Sequence, residues 1–206
     1  MAPAGSAAGR PLAVMNLPNA LTLSRIFLVP LLVVVLLTRF EGRLVLGIRK
    51  ELVAAGIFGL ASLTDWLDGY LARRRKQVTP LGQMMDPLAD KVLTSAAFIS
   101  LVQMELAPAW MVTVIIGREL LVTALRSIGY NRGIVMPASQ LGKVKMVSEV
   151  VAILALILGQ DHLPYFYVIG TAALWVALVT AVVSGVEYYR NFTRGAGERS
   201  PQISNR

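Results

Sequence analysis

No cysteine occurs anywhere in the chain. That removes disulfides and thiolate metal sites and leaves the redox compartment undetermined. Histidine is nearly absent as well: His162 stands alone in a connection far from the acidic residues, which excludes a zinc site of ordinary type. Charge is scarce, at 16% of 206 residues against about 25% in soluble domains. Hydrophobic residues make up 55%, and mean hydropathy is +0.62. These values, with several long apolar runs, predict an integral membrane protein with one membrane domain. Internal repeats are lacking and the acidic motif occurs once, which argues against an inverted-repeat transporter. Acidic residues are outnumbered twelve to twenty, giving a net charge of +8. The excess does not imply nucleic acid, because no soluble basic domain is there to carry it. The basic residues flank apolar segments instead, as in cytoplasmic loops facing anionic head groups. A cleaved signal peptide is not expected, since the first long apolar run starts only near Leu21 and no small-x-small site follows it.

What is present reads as six spans. Residues 1–16 form a flexible or interfacial start, residues 17–190 the membrane domain and residues 191–206 a polar basic tail. The spans are expected at Leu21–Thr38, Leu52–Leu71, Asp86–Met104, Pro108–Leu125, Val144–Leu158 and Tyr165–Tyr188. Arg39 to Glu51 is a polar connection. Span two is rich in small residues, Ala54, Ala55, Gly56, Gly59, Ala61 and Ser62, which permit close helix approach. Thr79-Pro80 reads as a stop after it, and Pro87 fits the first turn of span three, with Asp86 near its positive end. Arg25 lies within the first span, either snorkelling to head groups or reaching into an anionic site. Of the 20 Lys and Arg, 13 fall in the amino terminus, the 73–76 linker, the 126–145 connection and the tail. Both termini are therefore expected in the cytoplasm. The fold expected is an all-α bundle of six transmembrane helices, with a polar active-site cavity at the cytoplasmic side.

Within that apolar chain, four carboxylates stand out. Asp65 and Asp68 are three apart near the end of span two, and Asp86 and Asp90 are four apart near the start of span three. On helices, offsets of three and four share a face. Gly69 and Arg73 follow Asp65 at steps of four, while Gly82, Asp86, Asp90 and Thr94 form a second such stripe. Carboxylates in apolar spans need a partner, a water-filled cavity or a metal. Mg²⁺ or Mn²⁺ suits an all-oxygen donor set and keeps positions open for phosphate oxygens. Beside Arg73, such a site suits a diphosphate. A carboxylate left over from metal binding can take a proton from an attacking hydroxyl. Arg118 lies deep in span four and calls for a buried anion. Glu119 is adjacent, but neighbours on a helix point about 100° apart, so a phosphate is the better partner. Arg126, Lys143 and Lys145 can join Arg118 in a cationic pocket; for Arg126 and Lys143, a role as cytoplasmic-edge charges is an equal alternative.

The stretch Asp65-x2-Asp68-Gly69-x2-Ala72-Arg73-x8-Gly82-x3-Asp86-x3-Asp90 matches in full the signature of the CDP-alcohol phosphotransferase family, and the chain is identified by this resemblance as a member. The resemblance implies a divalent-metal-dependent transfer of a phosphatidyl-type group from a CDP-linked lipid to an alcohol, with release of CMP. It implies that Asp65, Asp68 and Asp86 ligate metal, that Asp90 ligates or acts as base, and that Gly69, Ala72, Arg73 and Gly82 line the CDP moiety. The cofactor expected is Mg²⁺ or Mn²⁺, as two ions. The residues Asn19, Thr22, Arg25, Ile116-Gly117-Arg118-Glu119, Arg126 and Gly142-Lys143-Val144-Lys145 resemble the branch whose acceptor is sn-glycerol 3-phosphate, with CDP-diacylglycerol as donor. Inositol 1-phosphate is the alternative acceptor. An intramembrane prenyltransferase or a divalent-cation transporter are the alternatives of other classes. The resemblance also implies a homodimer among membrane lipids, located in a bacterial inner membrane with its site facing the cytoplasm.

Overall fold

The computed structural model describes residues 17–38, 44–45, 47–75, 80–131, 140–159 and 164–197, and the side chains within 27–38, 45, 47–64, 91–129, 141–159 and 164–193. Six helices dominate these residues: α1 (Leu17–Leu37), α2 (Lys50–Arg75), α3 (Pro80–Gln103), α4 (Ala109–Asn131), α5 (Gln140–Leu158) and α6 (Pro164–Gly197). The six segments read from apolar periodicity are thus all helices, each extended at one or both ends.

Three local expectations change. The Arg39–Glu51 connection carries a small antiparallel hairpin, β1 (Leu44–Val45) against β2 (Ile48–Arg49), with Leu44 opposite Arg49. Gly47 makes its turn possible at φ 79°, a left-handed conformation that glycine adopts without steric penalty. Second, Pro80 opens α3 rather than merely ending α2. A proline at the first helical position loses no hydrogen bond, because that N–H would have no intrahelical partner. Asp86 and Pro87 consequently lie in the second turn, where the helix-end field invoked for Asp86 has faded. Third, α6 continues from Tyr188 to Gly197. Residues 189–194 contain neither Pro nor Gly, and adding residues to an existing helix is cheap once it is nucleated. The 1–16 segment and residues 198–206 lie outside the described residues.

The core is apolar and shared by all six helices. Leu32, Ala54, Phe58, Leu93, Ala97, Phe98, Leu101, Ile115, Ile153, Leu156, Ile157, Leu174 and Ala181 are buried in one cluster. Helix α5 packs most extensively on α6, α1 on α3 and α2, α4 on α6, and α2 on α5. The tightest helix approach is not at the small-residue face of α2. A Cβ at Gly59 would sit an ordinary 3.8 Å from Leu154 Cδ2, and one at Gly56 would meet nothing. At Gly170 of α6 it would lie 2.8 Å from Leu156 Cγ and 2.9 Å from the Leu156 nitrogen. The α5–α6 seam therefore requires glycine. Many large apolar side chains face outward on every helix, among them Phe27, Leu31, Leu60, Ile99, Trp110, Leu120, Val147, Trp175 and Val183. Among the described residues, Pro164–Thr193 alone is both long and apolar enough to cross a membrane by length and composition; Phe27–Leu37 and Lys91–Gln103 are shorter apolar stretches.

Candidate active site

The eight signature positions all fall on helix. Asp65, Asp68, Gly69, Ala72 and Arg73 are in the last three turns of α2, and Gly82, Asp86 and Asp90 in the first three of α3. Their side chains lie outside the described ones, as do those of Asn19, Thr22 and Arg25 on α1. The backbone supports the stripe argument, because each pair sits in uninterrupted helix. The described neighbours show where these stripes lead. Ser62 precedes Asp65 by three residues and Thr94 follows Asp90 by four, and both line one cavity of about 290 Å³.

The cavity's remaining wall comes from α4, α5 and α6, and it contains all four residues expected to hold an anion. Arg118 and Arg126 from α4, and Lys143 and Lys145 from α5, line it together with Lys91 of α3. Glu119 and Glu149 are its two acidic members. Among the described side chains, five cationic stand against two anionic, so this part of the wall attracts anions. The cation-bearing elements thus meet next to the carboxylate-bearing ends of α2 and α3.

Within this wall, Arg118 is held on several sides. Its Nη1 donates to Glu119 Oε1 at 2.7 Å, its Nη2 to Ser184 Oγ at 2.7 Å, and its Nε to the Ala181 carbonyl at 3.2 Å. Glu119 is therefore a partner of Arg118 in spite of its adjacent position on the helix. The angle between adjacent residues applies to Cβ directions, whereas a long Arg and a flexible Glu can curl across that gap. The side chains are also largely buried, 11% and 23% exposed, so the pair forms where water competes weakly.

Lys145 is the deepest cation, with its side chain 5% exposed. Its Nζ contacts Glu119 Oε1 and lies 2.8 Å from Glu149 Oε2, four residues on in α5. An ammonium between two carboxylates compensates both, which a buried charge requires. Lys91 Nζ donates to Thr123 Oγ1 on α4, and Thr123 Oγ1 donates in turn to the Glu119 carbonyl at 2.7 Å. Arg126 is exposed, and its guanidinium carbon lies 5.8 Å from the centre of the Tyr188 ring.

Several of these residues escaped sequence reading. Glu149 had a usable signal, its i,i+4 spacing from Lys145. Lys91 had one in its position directly after Asp90. Ser184 and Tyr188 had none: each is one of several polar or aromatic residues in a long apolar helix, and only packing against α4 sets it apart. Among the described residues no cluster of three or more His, Cys, Asp or Glu could hold a metal. The signature residues Asp65, Asp68, Asp86 and Asp90 lie outside that set, and four carboxylates are the all-oxygen chemistry that suits Mg²⁺ or Mn²⁺.

Comparison with known proteins shows the family. Residues 15–183 match the CDP-alcohol phosphatidyltransferase family. A CDP-diacylglycerol--glycerol-3-phosphate 3-phosphatidyltransferase of Bacillus subtilis (strain 168) is 48% identical over 182 residues, covering 84% of this chain and 93% of its own. Proteins of the same name from Rickettsia typhi (strain ATCC VR-144 / Wilmington) and Pseudomonas fluorescens are 36% and 32% identical, each across 85% of this chain and across 96% and 89% of their own. With the full Asp signature on two helix ends and the match running from the start of α1 into α6, the chain belongs to the CDP-alcohol phosphatidyltransferase family.

Proposed function

We propose that this chain transfers the phosphatidyl group of CDP-diacylglycerol to sn-glycerol 3-phosphate, giving phosphatidylglycerophosphate and CMP for phospholipid biosynthesis. The observation that carries the reading is the juxtaposition of two chemistries. A four-Asp signature ends on the stripes of Ser62 and Thr94, and a cavity beginning at those residues is lined by Arg118, Arg126, Lys143 and Lys145. A diphosphate donor suits the first and a phosphorylated acceptor the second. The name shared by the relatives supports the same donor and acceptor.

The residues divide the work between donor and acceptor. Asp65, Asp68, Asp86 and Asp90 would hold Mg²⁺ or Mn²⁺, as two ions. Such ions, when bound, neutralise diphosphate oxygens and the charge developing on departing CMP. Gly69 and Gly82 leave room at the helix surface for the CDP moiety, alongside Ala72, and Arg73 pairs with its phosphates. The phosphate of the acceptor is held by Arg118, Arg126, Lys143 and Lys145. Its 1-hydroxyl gives its proton to Asp90 while the oxygen attacks the β-phosphorus. The P–O bond to the CMP phosphate breaks, and that oxygen leaves with the bonding pair. Catalysis of this kind rests on positioning and charge neutralisation more than on covalent chemistry.

Six membrane spans, cytoplasmic termini and an inner-membrane location in a bacterial cell belong to the same reading. Outward-facing apolar side chains on every helix support it. So does the lysine and arginine bias toward the amino terminus, the 73–76 and 126–145 connections and the tail. The domain boundaries 1–16, 17–190 and 191–206 stay with it, as does a homodimer, which the family resemblance favours. The deciding experiment is CMP release by purified protein given CDP-diacylglycerol and a panel of acceptors. Release with sn-glycerol 3-phosphate supports the assignment. Release only with inositol 1-phosphate transfers it to the alternative acceptor, and release with neither refutes it.

A further inference from the structure

Helix α6 contributes nothing to the Asp signature, yet one face of it is shaped around the arginines of α4. Ala181, Ser184, Gly185 and Tyr188 follow one another at steps of three, one and three, so they form a continuous stripe along one side of the helix. Each has a separate contact with Arg118. The Ala181 carbonyl accepts from Nε at 3.2 Å, and Ser184 Oγ accepts from Nη2 at 2.7 Å. Gly185 makes room for the aliphatic stem: a Cβ there would lie 3.2 Å from Arg118 Cγ, tighter than an ordinary contact. The Tyr188 ring centre lies 5.9 Å from the Arg118 guanidinium carbon. Ser184 is fully buried and Tyr188 is 5% exposed, so the seat is inside the protein rather than on a fluctuating surface.

The same ring also takes the Arg126 guanidinium, at 5.8 Å. Arg118 and Arg126 are eight residues apart on α4, about 12 Å along the axis at 1.5 Å per residue. Left to themselves, two like charges would spread apart into the cavity. A shared aromatic face attracts both cations and offsets part of that repulsion. Arg118 has five N–H groups, and the three contacts to Ala181, Ser184 and Glu119 use three of them. Two remain for a ligand on a guanidinium whose position is already set.

We propose that Ser184, Gly185 and Tyr188 are positioning residues that converge Arg118 and Arg126 on one anionic group of the acceptor, so that α6 sets the enzyme's affinity for phosphorylated acceptors. The inference rests on the reading of this cavity as the acceptor-phosphate site. Prealigned guanidiniums lose little freedom when the anion binds, which lowers the acceptor concentration needed. The donor side is built from α2 and α3 and is not addressed by this stripe.

The experiment is steady-state CMP release by detergent-purified full-length protein, with sn-glycerol 3-phosphate and CDP-diacylglycerol varied separately. Tyr188→Leu is expected to raise KM for sn-glycerol 3-phosphate by about tenfold, the equivalent of one displaced charge contact, with KM for CDP-diacylglycerol within about twofold of wild type. Tyr188→Phe, which keeps the ring face, is expected to stay within about twofold on both. Ser184→Ala and Gly185→Ala, which disturb the seat without touching the ring, are expected to move acceptor KM in the same direction. The proposal is overturned if Tyr188→Leu or, where that variant does not fold, both Ser184→Ala and Gly185→Ala leave acceptor KM within twofold. It is equally overturned if acceptor and donor KM rise together, which is what general loosening of the bundle would produce. Should wild type release CMP only with another phosphorylated acceptor, the function proposed above fails, while the same KM comparison with that acceptor still decides the role of α6.

Discussion

Replacing Lys145 by methionine isolates the electrostatics of the cavity wall. The substitution keeps the length and most of the volume of the side chain and removes one charge. In the native arrangement the ammonium contacts Glu119 Oε1 and lies 2.8 Å from Glu149 Oε2. Without it, Glu149, whose side chain is 6% exposed, keeps its carboxylate but loses the cation of its own helix. Glu119 fares better, since it keeps Arg118 at 2.7 Å and is 23% exposed. Removing one partner from a buried ion pair destabilises by about 3–5 kcal/mol, mostly through the charge left behind. Water in the adjoining cavity screens Glu119, which points to the lower end, about 3 kcal/mol. At about 2–4 °C per kcal/mol for a chain of this size, the melting temperature in detergent is expected to fall by roughly 6–12 °C. Adding Glu149→Gln to Lys145→Met should recover part of this, because it discharges the carboxylate that faced the lost ammonium. A coupling of about 1–3 kcal/mol between the two sites is expected from a double-mutant cycle. Melting of Lys145→Met within about 2 °C of wild type, a small fraction of the expected shift, or strict additivity in the cycle, would show that the ammonium does not hold the two carboxylates.

Gly170→Ala is expected to destabilise the bundle by about 1–3 kcal/mol, since its Cβ would lie 2.9 Å from the Leu156 backbone nitrogen. Gly56→Ala, with nothing within 4 Å, should be neutral or stabilising in the same thermal melt. Asp90→Asn should lower CMP release by at least about 10²-fold, and near-native product formation would remove Asp90 from the role of base. Stripping divalent ions with a chelator should abolish turnover, and Mg²⁺ or Mn²⁺ should restore it; turnover unaffected by the chelator would remove the metal from the reading. Because the chain has no cysteine, single cysteines report topology cleanly. In intact bacterial cells, Ile48→Cys is expected to react with an impermeant thiol reagent. Asn191→Cys should react only after permeabilisation, and the reverse pattern would invert the assigned orientation.

All six helices were legible from apolar runs and their punctuation, because burial on one face leaves a periodic trace in the chain. Their ends were less so. Pro80 has the same chemistry whether it stops one helix or starts the next, and the run past Tyr188 carried no signal for where α6 would end. The Asp signature was fully legible, since four carboxylates at helical spacing in apolar sequence are too costly to bury without a ligand. The cationic cavity was half legible: Arg118, Arg126, Lys143 and Lys145 could be named together, but the partners of Arg118 and Lys145 could not. Adjacent positions on a helix made Glu119 look misdirected, although long side chains reach around the helix and find each other once the wall is dry.

The chemistry was written in the chain itself: an all-helical apolar sequence, a carboxylate signature on two helix ends and the family to which they belong. These follow from local spacing, and spacing survives in one dimension. Folding was needed to show how α4, α5 and α6 close around one cavity. It also placed Glu119 and Glu149 about Lys145 and set Arg118 and Arg126 against the ring of Tyr188. Such contacts join residues up to 70 positions apart, and nothing in the chain encodes them except the packing that brings the helices together.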